Sequence, residues 1–233
     1  MKQSKITKSA SAVSAASDDA LSRILTAFIG IFILLALLHF GNSTFWIATV
    51  SIFAGCTYEL IGLLRKKGFR CSLLVSHLFL ILGPLYIALI FSLNALIFLP
   101  NGRNLVLFTL LATWSFDTVA YYIGSQLGKH KFMPKISPNK SLEGLLGGIA
   151  AVSIITVFIP GLKYGLAPIT KLIWLFSISA AAFLGDVAES SYKRWVGVKD
   201  SSSFLPGHGG FLDRFDSLIL TSAISYLLFR WLI

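Results

Sequence analysis

Seven long apolar runs follow one another along this sequence, and each is about as long as a helix that crosses a lipid bilayer. They cover residues 22–40, 44–64, 71–92, 105–125, 142–160, 171–190 and 216–233. A backbone segment inside lipid must satisfy its hydrogen bonds internally, as a helix does. The runs therefore predict an all-α, polytopic integral membrane protein with about seven transmembrane helices.

The third run stays apolar as far as residue 99. Residues 71–99 are too few for two full crossings, so we predict one span, with a kink at Gly83-Pro84, followed by an interfacial piece. Gly41-Asn42-Ser43 and Pro100-Asn101-Gly102 predict turns between spans.

The composition excludes several classes of protein. Hydrophobic residues make up 55% of the chain and charged residues only 13%, whereas soluble domains are roughly one-quarter charged. The 19 Phe and 5 Trp also exclude a disordered chain. In a chain this apolar, we attribute the net charge of +10 to loop topology and to anionic lipids or phosphates. We therefore expect membrane lipid, and no nucleic acid, as a partner.

The basic residues predict how the chain lies in the membrane. Residues 1–20 are polar, so we expect a disordered cytoplasmic tail before a single transmembrane domain, residues 21–233. An N-in, C-out arrangement places all but four of the 20 Lys and Arg residues on the cytoplasmic side. The long polar loops, residues 126–141 and 191–215, then both face the cytoplasm.

Asp117, Asp186 and Glu189 lie within the predicted spans, and each would cost several kcal/mol without a cavity, a cation or a hydrogen-bonding partner. Asp186 and Glu189 share one helix face, which a bound divalent metal ion would explain. Hydrogen bonds to hydroxyl groups of other helices are the alternative for Asp117 and Glu189. Glu59, with Arg65 six residues later, indicates a charge near a helix end, and we assign it no role.

The segment 190–217 carries the densest set of polar residues. Its stretch 206–210 is too rich in glycine for a regular helix, and Gly209 and Gly210 allow backbone N–H groups to approach a phosphate. Asp213 and Asp216 lie one helical turn apart at the start of the last span. Such a pair can hold Mg²⁺ and leave other positions for substrate phosphates.

The cations of the same segment are Lys193, Arg194, Lys199 and Arg214, and they would neutralise a polyphosphate. Alternatively, the cations mark the cytoplasmic side and the aspartates are favoured by the helix dipole. His208 has three candidate roles: general base, phosphate donor or loop-stabilising residue.

A second basic loop, residues 125–144, contains Lys129, Lys131, Lys135 and Lys140, and two prolines restrict it. It would either bind lipid headgroups or act as a phosphate clamp that faces the aspartates across the bundle.

These features favour metal-assisted phosphoryl or nucleotidyl transfer to a lipid, a reaction that depends on positioning and charge neutralisation. No catalytic triad, Walker loop or dinucleotide fingerprint occurs in the sequence. Two alternatives are a CTP-dependent polyprenol or dolichol kinase and, less favoured because repeated halves are absent, an ion-coupled transporter.

The polar segments also resemble a known family. The main block is Ser190-x-Tyr192-Lys193-Arg194, Lys199-Asp200, Ser202 and Leu205-Pro206-x-His208-Gly209-Gly210-Phe211-x-Asp213-Arg214-Phe215-Asp216. The upstream block is Asp117-Thr118-x-Ala120-Tyr121-x-x-Gly124, Gly128-Lys129-His130-Lys131 and Ser137-Pro138-x-Lys140-x-x-Glu143-Gly144. Both blocks, over about residues 105–233, are similar to the phosphatidate cytidylyltransferases, or CDP-diacylglycerol synthases, whose signature corresponds to 190–216 here.

The resemblance implies that CTP and phosphatidate react to give CDP-diacylglycerol and diphosphate. It implies Mg²⁺ on Asp186, Asp213 and Asp216, a possible second cation, K⁺, and a homodimer. The resemblance assigns catalytic roles to those aspartates and to Lys199 and Arg214. It assigns substrate binding to Lys193, Arg194, Asp200, His208, Gly209, Gly210, Asp117, Lys140 and Ser137. We expect a bacterial inner membrane, with the active site facing the cytoplasm.

Overall fold

The computed structural model describes residues 29–67, 73–158, 168–202 and 209–232, apart from positions 31 and 135. The predicted tail lies outside these residues. Eight α-helices and one 3-10 turn make up nearly all of the described chain, and no strand occurs within it. The helices are α1 (29–40, apart from position 31), α2 (Asn42–Lys67), α3 (Leu73–Ile87), α4 (Ser92–Ile97), α5 (Gly102–Gln126), α6 (Leu142–Phe158), α7 (Pro168–Val196) and α8 (Leu212–Leu232).

Within the described part of the chain, four helical segments are long and apolar enough to cross a membrane, which confirms the all-α integral membrane class. They are Asn42–Lys66, Leu80–Ile97, Gly102–Gln126 and Pro168–Val196, and Leu142–Val157 is a shorter apolar helix. The count of seven spans and the N-in, C-out orientation stay predictions.

The third apolar run differs from its prediction beyond Pro84. The proline lies inside α3, and the chain then passes through the 3-10 turn Ala88–Phe91 directly into α4. Leu80–Ile97 is therefore one candidate span, and the expected interfacial piece is its second half. Asn101 adopts the left-handed conformation (φ 55°) just before α5 begins, which confirms the predicted turn there.

Helix α8 lies at the centre of the described bundle, in contact with α2, α4, α5 and α7. Three hydrogen bonds connect it to the antiparallel α5 at four-residue intervals along both helices. The pairs are Thr109–Ser225 (2.9 Å), Thr113–Thr221 (2.8 Å) and Asp117–Ser217 (3.1 Å). Buried hydroxyls that bond across helices fix their relative rotation in an apolar environment. This ladder ends at Asp117, where the candidate site begins.

Glycines bring α5 and α6 into close contact. A Cβ atom at Gly144 would lie 2.6 Å from the carbonyl oxygen of Ala120 and 3.1 Å from the Cα of Gly124. Small residues allow this approach of two backbones. The contact holds the start of α6, and the loop before it, against the second half of α5.

Candidate functional site

A cavity of about 110 Å³ lies between α5, α7 and the second basic loop. Its polar lining includes Asp117, Ser137, Lys140 and Asp186, which are four of the predicted site residues, together with Asn139. The fold therefore brings the second loop against the intramembrane aspartates, as the phosphate-clamp hypothesis requires.

Lys140 and Asp186 form an ion pair in the wall of this cavity. The Lys140 Nζ lies 2.8 Å from Asp186 Oδ2 and 4.9 Å from the centre of the Phe183 ring. Ser190 donates a hydrogen bond to Asp186 Oδ1 at 3.2 Å. Only 11% of the Lys140 side chain is exposed, so this lysine faces the protein and not the lipid headgroups.

Asp117 and Asp216 meet at the contact between α5 and α8. The Ser217 hydroxyl donates to Asp117 Oδ1, the hydrogen bond that we considered as an alternative role for this residue. The Ser217 amide donates to Asp216 Oδ1 at 2.7 Å. Ser217 thus links Asp117 to Asp216, while Asp117 and Asp186 both line the cavity.

Asp213 is the centre of a second polar cluster. It accepts hydrogen bonds from Lys193 Nζ (2.7 Å), the amide and hydroxyl of Ser201 (3.1 Å each to Oδ2) and the amide of Gly210 (2.9 Å). Lys193 also pairs with Glu189 at 2.6 Å. A lysine therefore lies against each carboxylate, Lys140 against Asp186 and Lys193 against Glu189, and the divalent metal ion expected on their shared face stays a prediction.

The structure gives the two signature glycines a packing role. Gly209 has φ 81°, and a Cβ atom there would lie 2.8 Å from Asp213 Oδ2. A Cβ atom on Gly210 would collide with Ser201 Oγ and Glu59 Oε2. Both positions exclude a side chain because Asp213 and Glu59 lie so close. Phosphate binding by their backbones stays a prediction.

Glu59, on α2, is the residue that the sequence reasoning missed. It is only 5% exposed, and its carboxylate accepts four hydrogen bonds from the segment around residues 201–212. The donors are Ser201 Oγ (2.7 Å), Ser202 Oγ (2.6 Å), the Phe211 amide (2.8 Å) and the Leu212 amide (2.9 Å). Its assignment as a helix-end charge was wrong, because α2 continues to Lys67. A carboxylate inside a membrane is costly; this rule singled out Asp117 in the sequence, and it applies equally to Glu59.

The remaining predicted residues lie around these clusters. Arg194 donates to the carbonyl oxygens of Ile136 (3.1 Å) and Val198 (2.9 Å), which ties the second basic loop to the end of α7. Lys199, Asp200 and Arg214 are exposed. His208 and Lys135 lie outside the described residues.

His130 has a partner that its sequence context did not indicate. Its Nδ1 lies 2.6 Å from Glu143 Oε1, and its backbone amide also donates to that carboxylate. The Leu142 amide also donates to the carbonyl oxygen of His130. Together these contacts hold residue 130 against residues 142–143 of the second basic loop.

The donor chemistry fits a divalent cation only in part. Among the described residues, no three His, Cys, Asp or Glu side chains are grouped to hold a metal ion. Asp213 is directed towards Lys193, Ser201 and Gly210, and the expected convergence of Asp186, Asp213 and Asp216 is therefore absent. Asp186 follows Gly185, whose backbone lies against that of Asp216, and Mg²⁺ is commonly held by one or two carboxylates with substrate phosphates and water.

The contact between α7 and α8 at Gly185 allows a test of this architecture. A Cβ atom at Gly185 would lie 2.7 Å from the Asp216 carbonyl oxygen and 2.9 Å from the Ser217 Cα. We expect Gly185→Ala to force the helices apart and to reduce the free energy of unfolding by about 1–3 kcal/mol. Thermal unfolding in detergent measures the effect.

Gly62→Ala on α2 is the matched control, since a Cβ atom there would have no heavy atom within 4 Å. Both changes gain the same helix propensity, so the difference between them reports the clash. Equal melting temperatures would contradict the close α7–α8 contact.

Comparison with known proteins identifies relatives of this site. The profile of the cytidylyltransferase family matches residues 74–232. Proteins named phosphatidate cytidylyltransferase are 45% identical over 120 residues in Staphylococcus saprophyticus, 41% over 128 residues in Bacillus subtilis and 37% over 166 residues in Thermotoga maritima. These alignments cover 51%, 54% and 66% of this chain and 46%, 48% and 62% of the relatives. The chain thus spans about half the length of most of the curated relatives it matches.

Proposed function

This chain belongs to the cytidylyltransferase family, and we propose that it is a phosphatidate cytidylyltransferase that converts CTP and phosphatidate into CDP-diacylglycerol and diphosphate. The observation that carries the proposal is the cavity in which Lys140 and Asp186 meet beside Asp117. It combines a buried cation with carboxylates at the edge of an apolar bundle, which suits a reaction between a nucleotide and a lipid phosphate. The names of the relatives support the choice of substrates.

The chemistry needs no covalent nucleophile from the protein. A phosphate oxygen of phosphatidate attacks the α-phosphorus of CTP, the bond from that phosphorus to the β-phosphate oxygen breaks, and diphosphate leaves. A phosphate monoester has a second pKa near 6 and is mostly dianionic at pH 7, so it needs no general base. The protein must instead overcome the repulsion between two polyanions.

The residues of this chain have distinct proposed roles in that task. Lys140 neutralises charge at the cavity, and Asp117 and Ser137 orient a substrate within it. Asp213 holds Lys193 and the glycine loop in place. Lys199 and Arg214 contact substrate phosphates directly. Substrate contacts are also proposed for Lys193, Arg194, Asp200, His208, Gly209 and Gly210.

A divalent cation, which we propose to be Mg²⁺, would be held by Asp186 and Asp216. When bound, it would withdraw charge from the phosphoryl group under attack. The proposal also includes K⁺ as a second cation and a homodimeric assembly. It places the protein in a bacterial inner membrane, with the site facing the cytoplasm.

The proposed function is tested with purified protein in mixed micelles of phosphatidate, using CTP labelled at the α-phosphorus, Mg²⁺ and, in parallel, EDTA. We expect EDTA-sensitive label in the lipid phase and an equal amount of released diphosphate. Label that stays in the aqueous phase, from folded protein, would contradict nucleotidyl transfer. CTP labelled at the γ-phosphorus is the second arm, since a lipid kinase would transfer that phosphoryl group to an alcohol.

A further inference from the structure

We infer that Glu59 is a positioning residue of the proposed active site, which holds the residue 201–202 loop and the first turn of α8 in their working arrangement. The inference rests on the proposed function for its catalytic consequence. Glu59 lies on α2, before the segment that matches the family profile, and so contributes to the site from outside that segment.

The hydrogen bonds of Glu59 join two separate parts of the signature segment. Oε1 accepts from the Ser202 hydroxyl and the Phe211 amide, and Oε2 accepts from the Ser201 hydroxyl and the Leu212 amide. Each oxygen therefore binds one donor before residues 203–208 and one after them. A single carboxylate therefore joins residues 201–202 to the start of α8, where its two N–H donors lie.

Glu59 acts on Asp213 through a shared neighbour. The Ser201 hydroxyl lies 2.7 Å from Glu59 Oε2 and 3.1 Å from Asp213 Oδ2. Gly210 contacts the Glu59 carboxylate, and its amide donates to Asp213. Loss of the Glu59 charge would therefore displace two of the groups that hold Asp213.

The hydrogen-bond partners of Glu59 explain why a carboxylate is needed at this position. Each oxygen has one backbone amide as a partner, Phe211 at Oε1 and Leu212 at Oε2, and an amide N–H can only donate, so both oxygens must accept. Glutamine has nearly the same shape, but its NH₂ group would face one of these amide N–H groups whichever way the side-chain amide is turned. Burial makes these unmatched donors costly, and the local loop is expected to shift instead.

The test compares Glu59→Gln with Thr49→Val, a matched control on the same helix. Thr49 is fully buried, and its hydroxyl accepts a hydrogen bond from Asn94. Both substitutions keep the shape of the side chain and remove hydrogen-bonding capacity. We expect Glu59→Gln to lower kcat by about 100-fold with little change in either KM, as a small misplacement of reacting groups does. Thr49→Val is expected to leave kcat nearly unchanged.

Amide hydrogen exchange on the full-length protein in detergent, without substrate, gives a readout that does not depend on activity. We expect faster exchange at Phe211 and Leu212 in Glu59→Gln and unchanged exchange there in Thr49→Val. Glu59→Asp, which keeps the charge but has a shorter reach, should give intermediate kcat and exchange, and it replaces Glu59→Gln if that variant does not fold.

The outcomes separate the two proposals. Unchanged exchange at Phe211 and Leu212 would overturn the positioning role, and so would a fall in kcat that is equal in Glu59→Gln and Thr49→Val. If the wild-type protein forms no CDP-diacylglycerol but the selective change in exchange occurs, the loop-positioning role stands and the proposed function fails.

Discussion

Asp213→Asn is expected to reduce the turnover of CTP into CDP-diacylglycerol by about 10³-fold, the range found when a preorganised electrostatic group is removed. The reason lies in the four donors that surround this carboxylate. Oδ1 binds Lys193, and Oδ2 binds Gly210 and Ser201. Whichever oxygen becomes NH₂ in asparagine, it meets a donor, and the charge that balances Lys193 is lost.

The measurement is the initial rate of label transfer into lipid, together with the melting temperature in detergent. Glu143→Gln is the matched control, because it also removes one carboxylate charge, from a side chain paired with the exposed His130. We expect that control to retain most of the wild-type rate. A rate near wild type for Asp213→Asn would remove this residue from the site.

Lys140→Met is expected to lower kcat/KM by about 10²-fold, chiefly through a higher KM for the anionic substrates. Lys140 is the cation that balances Asp186 in the cavity wall, and its side chain is only 11% exposed. Asp117 and Asp186 would then leave the cavity with a net negative charge, which repels phosphates.

The control for this change is Lys171→Met, which removes the same charge from the same protein. Lys171 is exposed in the first turn of α7, and the 15 residues that separate it from Asp186 correspond to about 22 Å of helix. We expect Lys171→Met to have the same KM values as the wild-type protein. Equal effects of the two substitutions would contradict the role of Lys140 and the placement of the cavity.

The helical fold and much of the candidate site were predictable because their signals are local. Apolar runs of membrane length predict helices wherever they occur, and four of the predicted spans meet that criterion in the structure. Asp117 and Asp186 were found because carboxylates are costly in an apolar bundle, and Lys140 because it lies in a basic loop; the structure brings all three to one cavity.

The partners of the charged groups were less predictable. Asp186 and Glu189 share a helix face, yet one pairs with Lys140 from a distant loop and the other with Lys193 on its own helix. Spacing along one helix shows which side chains are neighbours, but not which residues another element places against them. The structure thus shows a lysine beside each carboxylate, and the metal ion that the spacing indicated stays a prediction.

The sequence by itself determined that this chain is helical, lies in a membrane and carries a polar signature segment, because each property depends on residue type and short-range spacing. The tertiary structure alone decided that Glu59 belongs with Ser201 and Leu212, more than 140 residues away. That pairing depends on how α2 packs against α8. A buried carboxylate requires donors, and only the packing of the helices decides which part of the chain supplies them.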